Sequence, residues 1–141
     1  MISLVSAAIL FLSCATDPQP LQYGKDACHA CKMTLMDNKF GAEIVTAKGK
    51  VYKFDDVNCM VNFIDSDYLA EETIEHKLIV DYTQPGKLIS AEQAFYLKSD
   101  EIRSPMASQV AAFETEKVMM KHKSKLKGIY LGWGELLTQF K

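Results

Sequence analysis

Short apolar runs separated by polar turns characterise the first half of the chain. Residues 42–46 and 51–54 are rich in side chains that favour β-strands, and the glycine between them is typical of a hairpin. Asp55 or Asp56 can then cap a helix. Apolar residues follow at the spacing of a core-facing helix, at Val57, Met60, Val61 and Ile64. The pattern predicts a unit of strand, strand and helix.

The apolar pattern of the second half adds strands and another helix. Residues 77–82 are predicted as a strand closed by the turn sequence at 84–86, and residues 94–97 as a shorter strand. Residues 115–127 carry apolar side chains on one side of a helix, and Gly128 is expected at the position that ends it. This mixture of elements favours an α+β fold.

A spacing between hydrophobic residues recurs in the two halves. Met33 and Phe40 are seven residues apart, as are Met106 and Phe113. This repeat is consistent with an internal duplication and also with coincidence in a short chain. If the duplication is real, Met106 is the counterpart of Met33.

The N-terminus predicts export and lipidation. Residues 2–12 are apolar but too few to cross a bilayer as a helix, which is typical of a signal peptide. The run ends in Phe11-Leu12-Ser13-Cys14, which resembles a bacterial lipoprotein processing site. We expect acyl chains on Cys14 to anchor the protein in a membrane. The predicted parts are a signal peptide, a lipidated N-terminus with a flexible tether, and a folded domain of two lobes: 1–13, 14–23, and 24–141, with lobes at about 24–76 and 77–141.

Composition and charge restrict the class of protein. Hydrophobic residues make up 48% of the chain and charged residues 24%, which is ordinary for a folded domain and unlike a disordered one. The 16 basic and 18 acidic residues give a formal net charge of −2. No broad basic surface is available for a nucleic acid, so we predict no nucleic-acid partner.

Three cysteines remain if Cys14 carries the lipid: Cys28, Cys31 and Cys59. A Cys-x-x-Cys pair can form a disulfide, a redox pair, half of a zinc site or a soft-metal site. No convincing helix follows Cys31, as a thioredoxin-like pair requires, and no second Cys-x-x-Cys completes a zinc site. Covalent haem is excluded because residue 32 is lysine.

Copper(I) fits the segment 28–33 better, because this soft ion prefers thiolate and thioether ligands. If residues 29–33 are extended, His29, Cys31 and Met33 lie on one face of the chain. Met106, directly after Pro105, is a candidate for a further thioether ligand. Cys28 is an additional thiol of open role, and Cys59 is interpreted as a small core residue of the predicted helix.

Three motifs resemble those of the NosL family, a family of copper-binding lipoproteins encoded with nitrous oxide reductase: His29-x-Cys31-x-Met33, Phe54-Asp55-Asp56 entering a helix, and Pro105-Met106 followed by Ala112-Phe113. The resemblance runs from about Gly24 to the C-terminus. It implies two related ββαβ-type lobes, similar to the organomercurial lyase fold. It also implies that Cys31 and Met33 match the family's copper ligands, with His29 beside them, whereas Lys32 stands where glycine is common.

The resemblance implies a copper(I) metallochaperone rather than an enzyme. Such a protein is anchored in the bacterial cell envelope, faces the periplasm, and delivers copper to nitrous oxide reductase during assembly of its copper–sulfur centre. Two alternatives stay open on the residues alone. One is a tethered thiol–disulfide oxidoreductase that uses Cys28 and Cys31, and the other is an envelope copper buffer without a dedicated client.

Overall fold

The computed structural model describes residues 15–141, so the predicted signal peptide at 1–13 and the predicted lipidation site Cys14 lie outside the described residues. Along this described part, no helix is both long enough and apolar enough to cross a membrane. The elements in chain order are β1 (Ala42–Thr46), β2 (Val51–Phe54), α1 (Val57–Asp65), a 3₁₀ turn (Glu71–Thr73), β3 (Ile74–Val80), β4 (Leu88–Ser90), β5 (Phe95–Lys98), β6 (Val110–Phe113), α2 (Glu116–Leu126), β7 (Ile129–Leu131) and α3 (Trp133–Thr138).

The strands form two antiparallel sheets, which confirms the predicted α+β class. The first sheet has the order β2-β1-β3-β4 and the second the order β6-β5-β7. The predicted hairpin is present, while β4 was not predicted. Because β3 and β4 are hydrogen-bonded into the first sheet, the sheets divide the chain between Ser90 and Phe95. That division lies further along the chain than the predicted lobe boundary at 76/77.

The chain segment that forms each sheet includes the same ββαβ order of elements. In both, a central first strand pairs with the strand that follows it and with the strand beyond the helix, giving β2-β1-β3 and β6-β5-β7. This arrangement makes Phe54 the counterpart of Phe113, since each ends the second strand and is completely buried. The predicted alignment of Met33 with Met106 is therefore wrong, because Met33 precedes β1 whereas Met106 lies between β5 and β6.

The helix termini follow local capping rules, with one exception. Asp56 is the N-cap of α1, and the Thr115 side chain caps α2 by accepting a hydrogen bond from the Val118 N–H. Lys127, not Gly128, adopts the left-handed conformation at the end of α2. Gly128 is required for space instead, because a Cβ there would lie 2.6 Å from Cγ of Leu97.

Two hydrophobic clusters hold the sheets together. The larger one joins the inner face of the first sheet and α1 to one face of the second sheet, including Phe54, Met60 and Tyr96. The smaller one lies on the other face of the second sheet, where Met119 of α2 covers Leu97. The second sheet is thus buried on both faces, which fixes it against the first.

Residues 15–22 lie across the outer face of the first sheet, although the sequence predicted a flexible tether. The Gln19 N–H donates a hydrogen bond of 2.9 Å to Oε1 of Glu43, and Nζ of Lys53 donates one of 3.1 Å to the Pro20 carbonyl. Leu21 is buried in the larger cluster. We call residues 15–22 the strap.

A buried carboxylate links the two halves of the molecule. Asp56 is fully buried and accepts hydrogen bonds from the N–H of Met106 at 3.0 Å and the hydroxyl of Ser108 at 2.7 Å. The Asn58 side chain donates to the carbonyl of Met106 at 2.9 Å. The start of α1 therefore holds the loop between β5 and β6 in place.

Candidate metal centre

The segment that carries the first two thiols is a tight turn and not an extended strand. Ala27 and Thr34 form an antiparallel bridge, and the Cys28 N–H donates a hydrogen bond of 2.8 Å to the carbonyl of Met33. The turn closes because Lys32 adopts a left-handed φ of 66°. The expectation that His29, Cys31 and Met33 share one face of an extended chain is therefore wrong. The turn instead brings Cys31 back toward Cys28.

Helix α1 supplies a third thiol to the same place. Asp56 ends the extended backbone and starts the helix, so Cys59 lies in its first turn. The sulfur atoms of Cys28, Cys31 and Cys59 all lie within 4.8 Å of one another. We call these three residues the thiol cluster. Cys28 and Cys59 are buried, Cys31 is partly exposed, and all three are free thiols.

Hydrogen bonds concentrate negative charge on the central sulfur. The Cys59 thiol and the N–H groups of Cys31 and Asp55 point at Cys28, and together they lower the pKa of Cys28 to about 4. The same hydrogen bond holds the proton on Cys59 and, with burial, raises its pKa. Burial also raises the pKa of Cys31. Of the three sulfurs, Cys28 is therefore the one whose thiolate form the fold favours most.

The nearest carboxylate shares this electrostatic environment. Burial, and then the negative charge on Cys28, raise the pKa of Asp55 to about 6. Its Oδ1 is buried without a hydrogen-bond partner in the described part of the chain. Asp55 thus contributes either a neutral carboxyl or a poorly solvated charge beside the thiol cluster.

His29 lies apart from the thiol cluster, in an aromatic environment. Its ring centroid is 4.7 Å from that of Tyr52, 5.2 Å from that of Phe63 and 6.0 Å from that of Tyr68. Burial, followed by the positive charges of Lys32 and Lys50, lowers the pKa of His29. The group of sulfurs that can share one ion does not include this ring.

The two predicted thioether residues lie on the surface near the cluster. Met33 is 59% exposed and lines an open cleft of about 300 Å³ together with Asp55 and Arg103. Met106 is 36% exposed, and its backbone is held at the start of α1. Their roles as copper ligands stay predictions, and both are accessible enough for an incoming ion or protein to reach.

The thiol cluster suits a soft metal ion that accepts three ligands. Sulfur ligands roughly 2.3 Å from a common ion lie roughly 4 Å apart in a trigonal arrangement, so the observed spacing needs only a small contraction. Zinc prefers a fourth ligand, and within residues 15–141 no further Cys, His, Asp or Glu joins the three sulfurs. Copper(I) is soft and is satisfied by sulfur alone.

Cys59 is the site residue that sequence reasoning missed. Its apolar neighbours along α1 favour a core role. Burial in the core was then enough to explain a cysteine at this position. One local signal was available, because the Asp56 cap places Cys59 in the first turn of a helix. Because the first turn of α1 begins directly after β2, a residue there lies close to the end of that strand.

The fold and the site together define a small α+β protein with a partly buried cluster of thiols for a soft metal. The NosL family model matches residues 20–140, and the chain belongs to the NosL family. A structure described as the copper chaperone NosL from Shewanella denitrificans is 18% identical, covers 86% of this chain and 96% of its own, and superimposes with a TM-score of 0.71. That similarity confirms the predicted fold. No curated protein matches the chain.

Proposed function

We propose that this protein is a copper(I) chaperone that holds the ion on the sulfur atoms of Cys28, Cys31 and Cys59. The observation that carries the proposal is the convergence of three free thiols within 4.8 Å, in a chain of the NosL family. Met33 and Met106 are the accessible thioethers that we assign to capture and release of the ion. No catalysis is proposed.

The protonation of the cluster fits reversible binding. The hydrogen bonds that lower the pKa of Cys28 favour its thiolate, so Cys28 is the thiol most ready to bind copper(I). Binding to the other two sulfurs displaces their protons, because thiolates and not thiols are the ligands. We therefore expect proton release when copper(I) binds near neutral pH, and weaker binding as the pH falls.

Copper(I) titration under anaerobic conditions, against a chelator that competes for the ion, tests the ligand set. Cys28→Ser, Cys31→Ser and Cys59→Ser should each weaken binding by about 100-fold or more, since losing even a partner outside the ligand shell costs about 10- to 100-fold. X-ray absorption of the loaded protein should show three sulfur ligands and no nitrogen.

Met33→Leu is the matched test of the thioether role, with Met120→Leu on the exposed side of α2 as its control. We expect Met33→Leu to slow copper transfer while leaving the affinity almost unchanged.

Unaltered affinity in Cys59→Ser, or a nitrogen ligand from His29, would refute the three-sulfur site and favour Cys31, Met33 and His29 as the ligands.

We further propose that the client is nitrous oxide reductase and that Cys14 carries a lipid anchor in the cell envelope, with the domain facing the periplasm. Family membership supports the client, and the residues before and at Cys14 support the anchor. Transfer of copper from the loaded protein to the metal-free reductase, followed by appearance of its copper–sulfur centre, tests delivery. A general copper buffer would show no preference for that client over an unrelated copper-free protein.

The low pKa of Cys28 beside Cys31 also favours one competing function, that of a thiol–disulfide oxidoreductase. Against it, no helix begins after Cys31 until α1, and a third thiol donates its hydrogen bond to Cys28. The discriminating assay is catalytic reduction of a disulfide substrate without copper. Turnover that Cys28→Ser abolishes would establish the oxidoreductase, whereas the chaperone should show none.

A further inference from the structure

The first residue of the strap lies at one end of the first sheet, and the thiol cluster lies at the other end. Ala15 passes over the β1–β2 turn so closely that a Cβ on Gly49 would lie 2.6 Å from the Ala15 carbonyl oxygen. Glycine is also needed there because its φ is +79°. From this turn the strap runs alongside β2 to Pro20, whose carbonyl accepts a hydrogen bond from Lys53.

The thiol cluster lies where β2 ends. The His29 N–H donates a hydrogen bond of 2.7 Å to the carbonyl of Lys53, and the chain then continues through Asp55 into α1, which carries Cys59. Asp55 is six positions after Gly49 in the chain. Since a strand rises about 3.3 Å per residue, the turn and the thiol cluster are roughly 20 Å apart.

Several contacts fix the strap on the sheet. Glu43 and Lys53 are cross-strand partners on the outer face, and each holds one residue of the strap through a hydrogen bond. Lys53 also forms an ion pair of 2.7 Å with Asp26, just beyond the strap. Leu21 anchors the end of the strap in the core. The direction from Ala15 to the thiol cluster is thus set by the fold.

We infer that the β1–β2 turn is the membrane-facing end of the domain, and that the strap holds the thiol cluster on the side away from the lipid. The inference rests on the proposed lipid anchor, because Cys14 directly precedes Ala15 in the sequence. An anchor so close to a fixed strap leaves the domain little freedom to turn over.

The surface around the turn fits a lipid headgroup region. Lys48 and Lys50 lie beside an apolar cavity of about 380 Å³ that is also lined by Tyr52 and Leu69, with Glu72 offsetting one of the positive charges. Basic side chains near a membrane attract anionic lipids. The opposite end presents Cys31 and Met33 to the periplasmic solvent and to partners.

The test uses the full lipidated protein in nanodiscs that contain a lipid-borne gadolinium chelate. Relaxation enhancement of backbone amides falls with the sixth power of distance from the chelate. The amides of Lys48 and Gly49 should be enhanced severalfold more than those of Cys31 and Met33. Equal enhancement at both ends, or the reverse order, overturns the inference.

A matched variant separates the strap from the anchor. A flexible Gly/Ser segment inserted between Ala15 and Thr16 leaves every contact beyond Thr16 in place but lets the domain turn, so the difference between the two ends should disappear. An unchanged difference would mean that the strap does not set the orientation, which overturns the inference.

Mass spectrometry of the same sample reports the lipid on Cys14. An unmodified Cys14 overturns both anchor and orientation, whereas the copper titration independently reports on the chaperone proposal.

Discussion

Glu43 is a carboxylic acid enclosed in the first sheet. Its side chain is fully buried, one oxygen accepts the hydrogen bond from Gln19, and the other has no partner among the described residues. Burial raises the pKa of Glu43 above its ordinary value, more than the nearby charge of Lys53 lowers it. The folded protein therefore retains this proton to a higher pH than the unfolded chain.

The raised pKa predicts how stability depends on pH. Between the ordinary pKa of a glutamate and the raised value in the fold, the folded state binds more protons, so the free energy of unfolding falls as pH rises through that window. Glu43→Gln keeps an acceptor for Gln19 and removes the charge. We expect it to be more stable than the parent protein by about 1 kcal/mol at neutral pH, with no gain at acidic pH.

Urea unfolding over a pH series measures the effect of Glu43→Gln. Glu75→Gln is the matched control, since Glu75 is on the neighbouring strand β3 but exposed. An equal gain in both variants, or a gain for Glu43→Gln that is constant with pH, would contradict the proposed cost of burying the charge.

The start of α1 has two structural roles. Asp56 caps the helix, and it also binds the Met106–Ser108 loop of the other half of the molecule. Thr115 at the equivalent position of α2 is exposed and only caps its own helix. The two caps therefore allow the linking role to be separated from capping.

Asp56→Ala should destabilise the protein by about 3 kcal/mol or more, because it removes a cap and leaves buried donors of the loop unpaired. Thr115→Ala should cost about 1 kcal/mol, the ordinary price of a lost cap. Chemical denaturation of both variants measures the difference. Equal costs would show that the link between the halves adds little to stability.

Local signals explain which elements the sequence could predict. The hairpin of β1 and β2, the cap at Asp56 and the helix after it each depend on neighbours in the chain, and the structure confirms them. The turn at 28–33 escaped prediction because Lys32 takes a conformation that usually selects glycine. A lysine at this position gives no indication of such a turn.

The thiol cluster depends on the whole molecule, which is why spacing along the chain did not reveal it. Cys28 and Cys59 are 31 positions apart in the chain. Their sulfur atoms meet because α1 follows β2 and begins beside the turn at 28–33. Periodicity assigned Cys59 to the core, and the buried position it occupies agrees with that assignment. Burial and metal binding are compatible at one residue, and periodicity alone does not distinguish them.

The strap predicts a further property of the whole molecule. A chain that begins at Tyr23 lacks the buried Leu21 and leaves Glu43 without its hydrogen bond from Gln19. We expect it to be less stable than a chain beginning at Ala15 by about 2–4 kcal/mol, from the burial of one leucine and one lost hydrogen bond. Thermal unfolding of the two metal-free chains gives the comparison, and equal midpoints would show that the strap contributes no stability.

Partial exposure of Cys31 has a kinetic consequence. Two thiols of the cluster are buried and the third is open to solvent, so an incoming sulfur ligand can reach a bound ion only from the side of Cys31. If the thiol cluster holds copper as proposed, a partner can bind the ion before Cys28 and Cys59 release it, without the formation of free copper. Retention in the absence of a partner and rapid exchange in its presence are therefore compatible properties of one site.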